Sequence, residues 1–213
     1  TRTEGVSLAS ANGNPFSPWS FITLIHPGFI ISDSGLFQTD LSMRNAYLGA
    51  LFIPLFIYGY RFLPRKFFFT LTSISILFFA FSLGHYSWFR TLLYDYIPLM
   101  NYFQYSALFR FVPELLLLTI SLSSAYHIVQ QRGWDKFLDI LHYYLPFYGL
   151  FFVGLLIYFA IHTPSLHRLL EFTLILTIFP AIALFVTRYA LKKTVSDETK
   201  KIVLCICILV DLV

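Results

Sequence analysis

Apolar positions along this chain gather into five long runs and a sixth that reaches the last residue, with polar and basic residues between them. The runs cover 46–60, 67–83, 111–129, 144–161, 169–191 and 202–213. A hydrocarbon core about 30 Å thick takes roughly 20 helical residues to cross. Runs of this length with so few charges predict an all-α, polytopic transmembrane helical bundle of about six spans, the last incomplete.

Two of the intervening gaps predict helices of another kind. In the gap 84–110, Phe89, Leu92, Leu93 and Tyr96 follow the spacing of one helical face. That pattern predicts an amphipathic helix lying flat in the membrane interface near 86–98, ended by Pro98. On the other side Trp134, Phe137, Leu138 and Leu141 share a face, predicting a second interfacial helix over 134–143 that Pro146 breaks or kinks before the fourth span. Residues 1–45 carry Pro15, Pro18, Pro27 and Gly28 and no sustained period, so they read as the end of an extracytoplasmic loop. Within them, Trp19–Ile25 is too short to span and suits a re-entrant or interfacial segment.

Composition sharpens this picture. The hydrophobic share is 57%, the charged share 12% and the mean hydropathy +0.70, far from a soluble domain with about a quarter of its residues charged. The net charge of +4 does not imply nucleic acid, because no basic stripe with a stacking platform occurs. The basic residues are better explained as topology signals. Arg61, Arg65, Lys66, Arg132, Lys136, Arg188, Lys192, Lys193, Lys200 and Lys201 lie on one side, and Arg2, Arg44, Arg90, Arg110 and Arg168 on the other. Positively charged loops stay in the cytoplasm, so 1–45, 84–110 and 162–168 are expected outside. Cys205 and Cys207 fall on different faces of one apolar run and predict neither a disulfide nor a metal site.

The stretch Asn45–His127 resembles a known family. Asn45, Ala46, Tyr47, Leu48 and Gly49 open a span, the basic turn Arg61, Arg65 and Lys66 follows, and the next span ends in Ser82, Leu83, Gly84 and His85. Then come Leu93-Tyr94, Ile97-Pro98-Leu99, Phe103-Gln104-Tyr105 and Phe109-Arg110-Phe111, leading into a Leu-rich span. This order is similar to that of the bacterial YfhO-like membrane proteins, a branch of the GT-C class of polytopic glycosyltransferases. Trp19–Pro27 and the terminal Ile208–Leu212 resemble further parts of the same family. Where the family carries an Arg and, two residues on, a Pro, this chain has Gln104 and Ser106.

The resemblance implies an inner-membrane enzyme that takes a sugar from a polyprenyl-phosphate carrier on the outer face and passes it to a cell-envelope glycan or lipid. Its catalytic acid would sit in a first external loop, expected upstream of Thr1, since the chain reads as an internal fragment. The competing readings are a transporter or flippase and a non-catalytic envelope protein. The expected partners are membrane lipids, the lipid-linked donor and the envelope acceptor, with no nucleic acid. No cofactor is evident from the residues, and a divalent metal is left open.

Candidate substrate contacts cluster in the second external gap. Arg110 and Glu114, four apart, share a helix face. Arg110 suits a lipid-linked phosphate, with Glu114 orienting it, or the pair neutralises itself at the interface. As a phosphate ligand, Arg110→Ala would abolish transfer at normal membrane abundance. His85 and Asp95 fit either acid or metal chemistry or plain interfacial polarity. Gln104 and Tyr105 fit either a sugar hydroxyl or interfacial packing. His167, Arg168 and Glu171 read first as a solvated helix start. Asp211, ten residues into the last run, is a suspect because acids inside spans tend to be functional.

Overall fold

A computed structural model describes residues 7–24, 37–98, 100–103, 105–162, 182, 184, 185, 187–189 and 196–212. Among these the chain is helical and contains no strand. The helices are α1 (Leu8–Ala11), α2 (Leu41–Arg44), α3 (Phe52–Phe62), α4 (Arg65–Ser82), α5 (Trp88–Tyr96), α6 (Phe111–Gln130), α7 (Trp134–His162) and α8 (Asp197–Leu212). Short 3-10 segments cover Pro18–Leu24, Gly84–Tyr86, Met100–Tyr102 and Ser106–Arg110. The run 169–191 falls largely outside the described residues, as do His167, Arg168 and Glu171.

Among the described residues, two helical stretches are long and apolar enough to cross a membrane, Arg65–Ser82 and Ser106–Gln130. Only 28% and 33% of their apolar windows are buried. Phe67, Phe69, Ile76 and Leu77 of α4 and Phe111, Leu115, Leu122 and Tyr126 of α6 face outward. A soluble protein would leave these as one large sticky surface. Lipid accepts them without cost.

The first apolar run departs from expectation. Only 52–62 is helical, while Asn45–Gly49 has no helical structure and Gly49 has a φ of 95°. Eleven residues cover about 16 Å, roughly half a bilayer core. The apolar residues before it are nonetheless packed away, with Ala46, Leu48, Ala50 and Leu51 all buried. Irregular backbone at such depth is tolerated where protein encloses it. The pattern of apolar residues marks burial and does not distinguish the helical from the irregular part.

Pro64 separates α3 from α4: the Leu63 N–H closes on the Gly59 carbonyl at 2.9 Å, and Pro64 then takes ψ 125°. A residue before proline is pushed out of the helical region, so the turn is tight and the two helices are antiparallel neighbours. α6 packs against both. Its Thr119, Ser121 and Ser124 hydroxyls donate to the carbonyls of Leu115, Leu117 and Ile120, which removes their polarity from the apolar surroundings. Where α3 meets α6, a Cβ on Gly59 would lie 2.6 Å from Ser124 Oγ. Small residues allow such close approach between membrane helices. Tyr58 extends the contact by hydrogen bonding His127 Nδ1 at 3.2 Å.

α7 corrects the reading of 134–161. The helix runs unbroken through Pro146 over 29 residues, so the expected interfacial helix and the fourth run are one element. Trp134, Phe137, Ile140, Leu141, Tyr144 and Tyr148 form a buried stripe that packs with Ala50, Leu51, Leu55, Tyr58, Ala125 and Ile128. That packing fixes the helix on both sides of the proline, and neighbouring helices commonly sustain such kink residues in membranes. Leu204 and Cys207 of α8 join the same cluster. Ser196 accepts from the Thr199 N–H at the start of α8, and Arg132 meets Asp197 at 3.3 Å.

Candidate functional site

The end of the molecule that the charge pattern leads us to expect outside carries a cap built from the described residues of 7–24, 37–51 and 83–110. Little of it is regular, and yet it is tightly held. The Phe16 N–H donates to the Ser82 carbonyl at the end of α4, and Phe16, Phe21 and Phe79 form a ring cluster with centroids 5.0–5.8 Å apart. Thr23 stitches the 3-10 segment to the start of the first apolar run. Its hydroxyl accepts from the Ala46 N–H at 3.0 Å and lies within donating distance of the Ser20 and Arg44 carbonyls, at 2.6 and 3.0 Å.

Three arginines hold the irregular backbone. Arg110 Nε donates to the Asn45 carbonyl at 2.7 Å, Nη2 to Ser42 at 2.9 Å and Nη1 to Ala107 at 3.3 Å. The Ser42 and Asn45 carbonyls belong to the end of α2 and the residue after it, where helical partners run out. Arg90 is completely buried. It reaches the Met100 carbonyl with both terminal nitrogens and the Phe103 carbonyl at 2.9 Å, with its guanidinium 4.8 Å from the centre of the Phe81 ring. Burial pushes its pKa below the ordinary arginine value. Arg44 is buried too, donating to the Thr39 carbonyl at 3.4 Å over the Phe37 ring. A guanidinium presents its donors in a fixed planar fork, so it serves two carbonyls in one pre-organised geometry and stacks on a ring at the same time.

Arg110 and Glu114 do meet, with Nε 3.2 Å from Oε1. The Nε hydrogen points at the Asn45 carbonyl, so this is an ion-pair contact without an aligned hydrogen bond. Each nitrogen of Arg110 already serves a carbonyl, and the pair works as an anchor between α2 and α6. We therefore expect Arg110→Ala to lower cap stability by about 1–2 kcal/mol, since part-exposed carbonyls regain water. Thermal unfolding of the full protein in detergent measures this. An unchanged midpoint would contradict the anchoring role.

The other candidates are not gathered around it. His85 is exposed and stacks obliquely on Tyr86, whose hydroxyl donates to Gln38 Oε1. Asp95 is exposed on α5, and Tyr105 is exposed beside the 3-10 turn. Gln104 lies outside the described residues. Asp211 sits in the last turn of α8. Among the described residues no three or more His, Cys, Asp or Glu side chains converge in a way that would hold a metal ion.

A helix, α5, is present within the stretch 86–98, with Ser87 Oγ accepting from the Phe89 N–H at its start. Its predicted apolar face is half open, with Leu92 and Tyr96 exposed, and the residue it buries completely is Arg90. Reading Arg90, Arg44 and Arg110 as external topology charges missed this. Nothing in the sequence marks it: the acceptors are main-chain carbonyls, which every residue possesses.

Around this anchor Trp88, Tyr96, Tyr102, Phe103 and Tyr105 are exposed on the cap. The cap thus exposes these aromatic side chains on backbone held by arginines. In comparisons with protein-family models, curated proteins and solved structures, nothing matches this chain. The likeness to YfhO-like proteins therefore rests on the residues quoted above.

Proposed function

We propose that this chain is the membrane part of a glycosyltransferase of the bacterial inner membrane, one that takes a sugar from a polyprenyl-phosphate carrier on the outer face. The acceptor is an envelope glycan or lipid. The observation that supports the reading best is the set of exposed aromatic side chains on the cap, Trp88, Tyr96, Tyr102, Phe103 and Tyr105. A lipid-linked sugar has its tail in hydrocarbon and its head at the interface, the level that amphipathic aromatic rings prefer. Binding groups hold substrate best on a base that does not move, and the three arginines supply such a base. In this reading Arg110 positions the cap, and the catalytic acid belongs to an external loop of the full protein.

The test is transfer by the full protein in proteoliposomes supplied with a labelled polyprenyl-phosphate sugar. Replacing both Trp88 and Tyr96 by Ala is expected to reduce transfer about tenfold, the scale of losing aromatic anchors, with folding intact because both side chains are exposed. Absence of donor turnover and donor binding in the wild-type protein would end this reading.

One observation favours the transporter alternative. α3 is a half-length helix preceded by buried irregular backbone, a device that transporters use at the membrane midplane. Solute flux into sealed proteoliposomes without sugar transfer would select it.

A further inference from the structure

A second feature lies at the opposite end of the molecule, away from the cap. Between α3 and α7 runs a groove of about 460 Å³, lined by Ile53, Ile57, Arg61, Asp139, Tyr144, Phe151 and their neighbours. Its two charged residues stand together at one end. Arg61 is in the last turn of α3 and Asp139 in the second turn of α7, and charge asymmetry places this end in the cytoplasm. The remaining lining is aliphatic or aromatic.

The dimensions suit one leaflet. From Asp139 to Phe151 is twelve residues of helix, about 18 Å at 1.5 Å per residue, against roughly 15 Å for half a hydrocarbon core. Tyr143 and Phe147, also in the lining, are strongly exposed, so the groove opens sideways to lipid. Its volume lies in the range of small-molecule sites, about 300–1,000 Å³.

The charges decide what fits. Arg61 and Asp139 are both exposed, and among the described residues neither carries an ion pair or a side-chain hydrogen bond. They form no bridge with each other, so one cation and one anion are presented separately beside an apolar channel. Lys136, a turn before Asp139, lies 4.7 Å from the Phe62 ring centre, and Arg65 and Lys66 are exposed just past the turn. Asp135, exposed one turn before Asp139, adds a second carboxylate, so these residues give the mouth four cations and two carboxylates, and Asp139 is the carboxylate in the groove lining. Phosphate suits the cations, especially guanidinium, and a primary ammonium suits the carboxylate.

We propose that this groove binds one aminophospholipid of the cytoplasmic leaflet, its phosphate on Arg61, its ammonium on Asp139 and an acyl chain along α7. The site depends on the membrane reading and its sidedness, and not on sugar transfer. An anionic lipid without an amine would leave Asp139 facing like charge, so the groove selects for headgroup as well as for chain.

The test uses the full protein in nanodiscs of equimolar phosphatidylethanolamine and phosphatidylglycerol with matched chains, followed by detergent extraction and mass spectrometry of the lipid retained. Wild-type protein should keep phosphatidylethanolamine about tenfold over phosphatidylglycerol. Arg61→Gln should lower retention of both lipids about tenfold, and Asp139→Asn should abolish the preference while retention persists. A photo-crosslinking side chain at Ile57 should label acyl chain. Equal retention of the two lipids by wild-type protein would overturn the proposal, as would Ile57 labelling this polypeptide or a second copy. Should either variant unfold, the wild-type lipid ratio and the Ile57 label still decide.

Discussion

Arg90→Met should loosen the cap by about 2–3 kcal/mol, because it strips the donors from two carbonyls that have no helical partner. Met is close to arginine in length, so the change leaves little cavity and isolates the polar loss. Two effects oppose each other. Removing a buried cation recovers desolvation free energy, while the Met100 and Phe103 carbonyls lose three hydrogen bonds and Phe81 loses the guanidinium above its ring. The second effect wins here because, among the described residues of 97–105, only the short 3-10 segment Met100–Tyr102 is regular. Arg90→Lys should recover only part of the loss, since the shorter reach of a single nitrogen lacks the planar fork that meets both carbonyls and the guanidinium face over Phe81. Limited proteolysis between α5 and α6, together with thermal unfolding in detergent, gives the readout. Wild-type cleavage and midpoint for Arg90→Met would show that the fork carries no stability.

Gly84→Ala is expected to be of similar size, about 3 kcal/mol. Gly84 has φ +56°, where a side chain costs roughly 1–2 kcal/mol. A Cβ there would also stand 2.8 Å from Pro15 Cβ and 2.8 Å from Ser106 Oγ, and overpacking adds about 1–3 kcal/mol. Both neighbours are buried, so neither moves aside easily. This glycine is the point where the 7–24 segment, the end of α4 and the turn before α6 touch, and separating them should unseat Phe16 from Phe79. Gly149→Ala is the control, because nothing lies within 4 Å of a Cβ there and a helical Gly→Ala change favours the helix by up to about 1 kcal/mol. If Gly84→Ala and Gly149→Ala shift the unfolding midpoint alike, the three-way contact is not what stabilises the cap.

The elements were readable to different degrees, and the differences have causes. α4 and α6 emerged at nearly their observed bounds because proline, glycine and charged turns punctuate long apolar runs on both sides. α5 was visible from its spacing, but its buried side was not, since a period identifies a face without saying which neighbour covers it. Continuity of α7 through Pro146 is not legible locally, because a lone proline reads as a break or a kink, whereas the buried stripe from Trp134 to Tyr148 depends on contacts far away in sequence. Among the site candidates, Arg110 with Glu114 was found by its i, i+4 spacing, and its actual partners were not. They lie three to sixty-eight residues away and are backbone atoms.

By itself the order of residues settled that the chain is helical and that its long apolar stretches exceed what a water-exposed fold can hide, because hydropathy and period act locally and need no partner. Tertiary structure alone decided that Ala46–Leu51 is buried irregular backbone, that Arg44, Arg90 and Arg110 serve carbonyls, and that Arg61 and Asp139 flank one groove. The reason is that a main-chain acceptor looks the same at every position, so only the folded path shows which ones have been left for a side chain to hold.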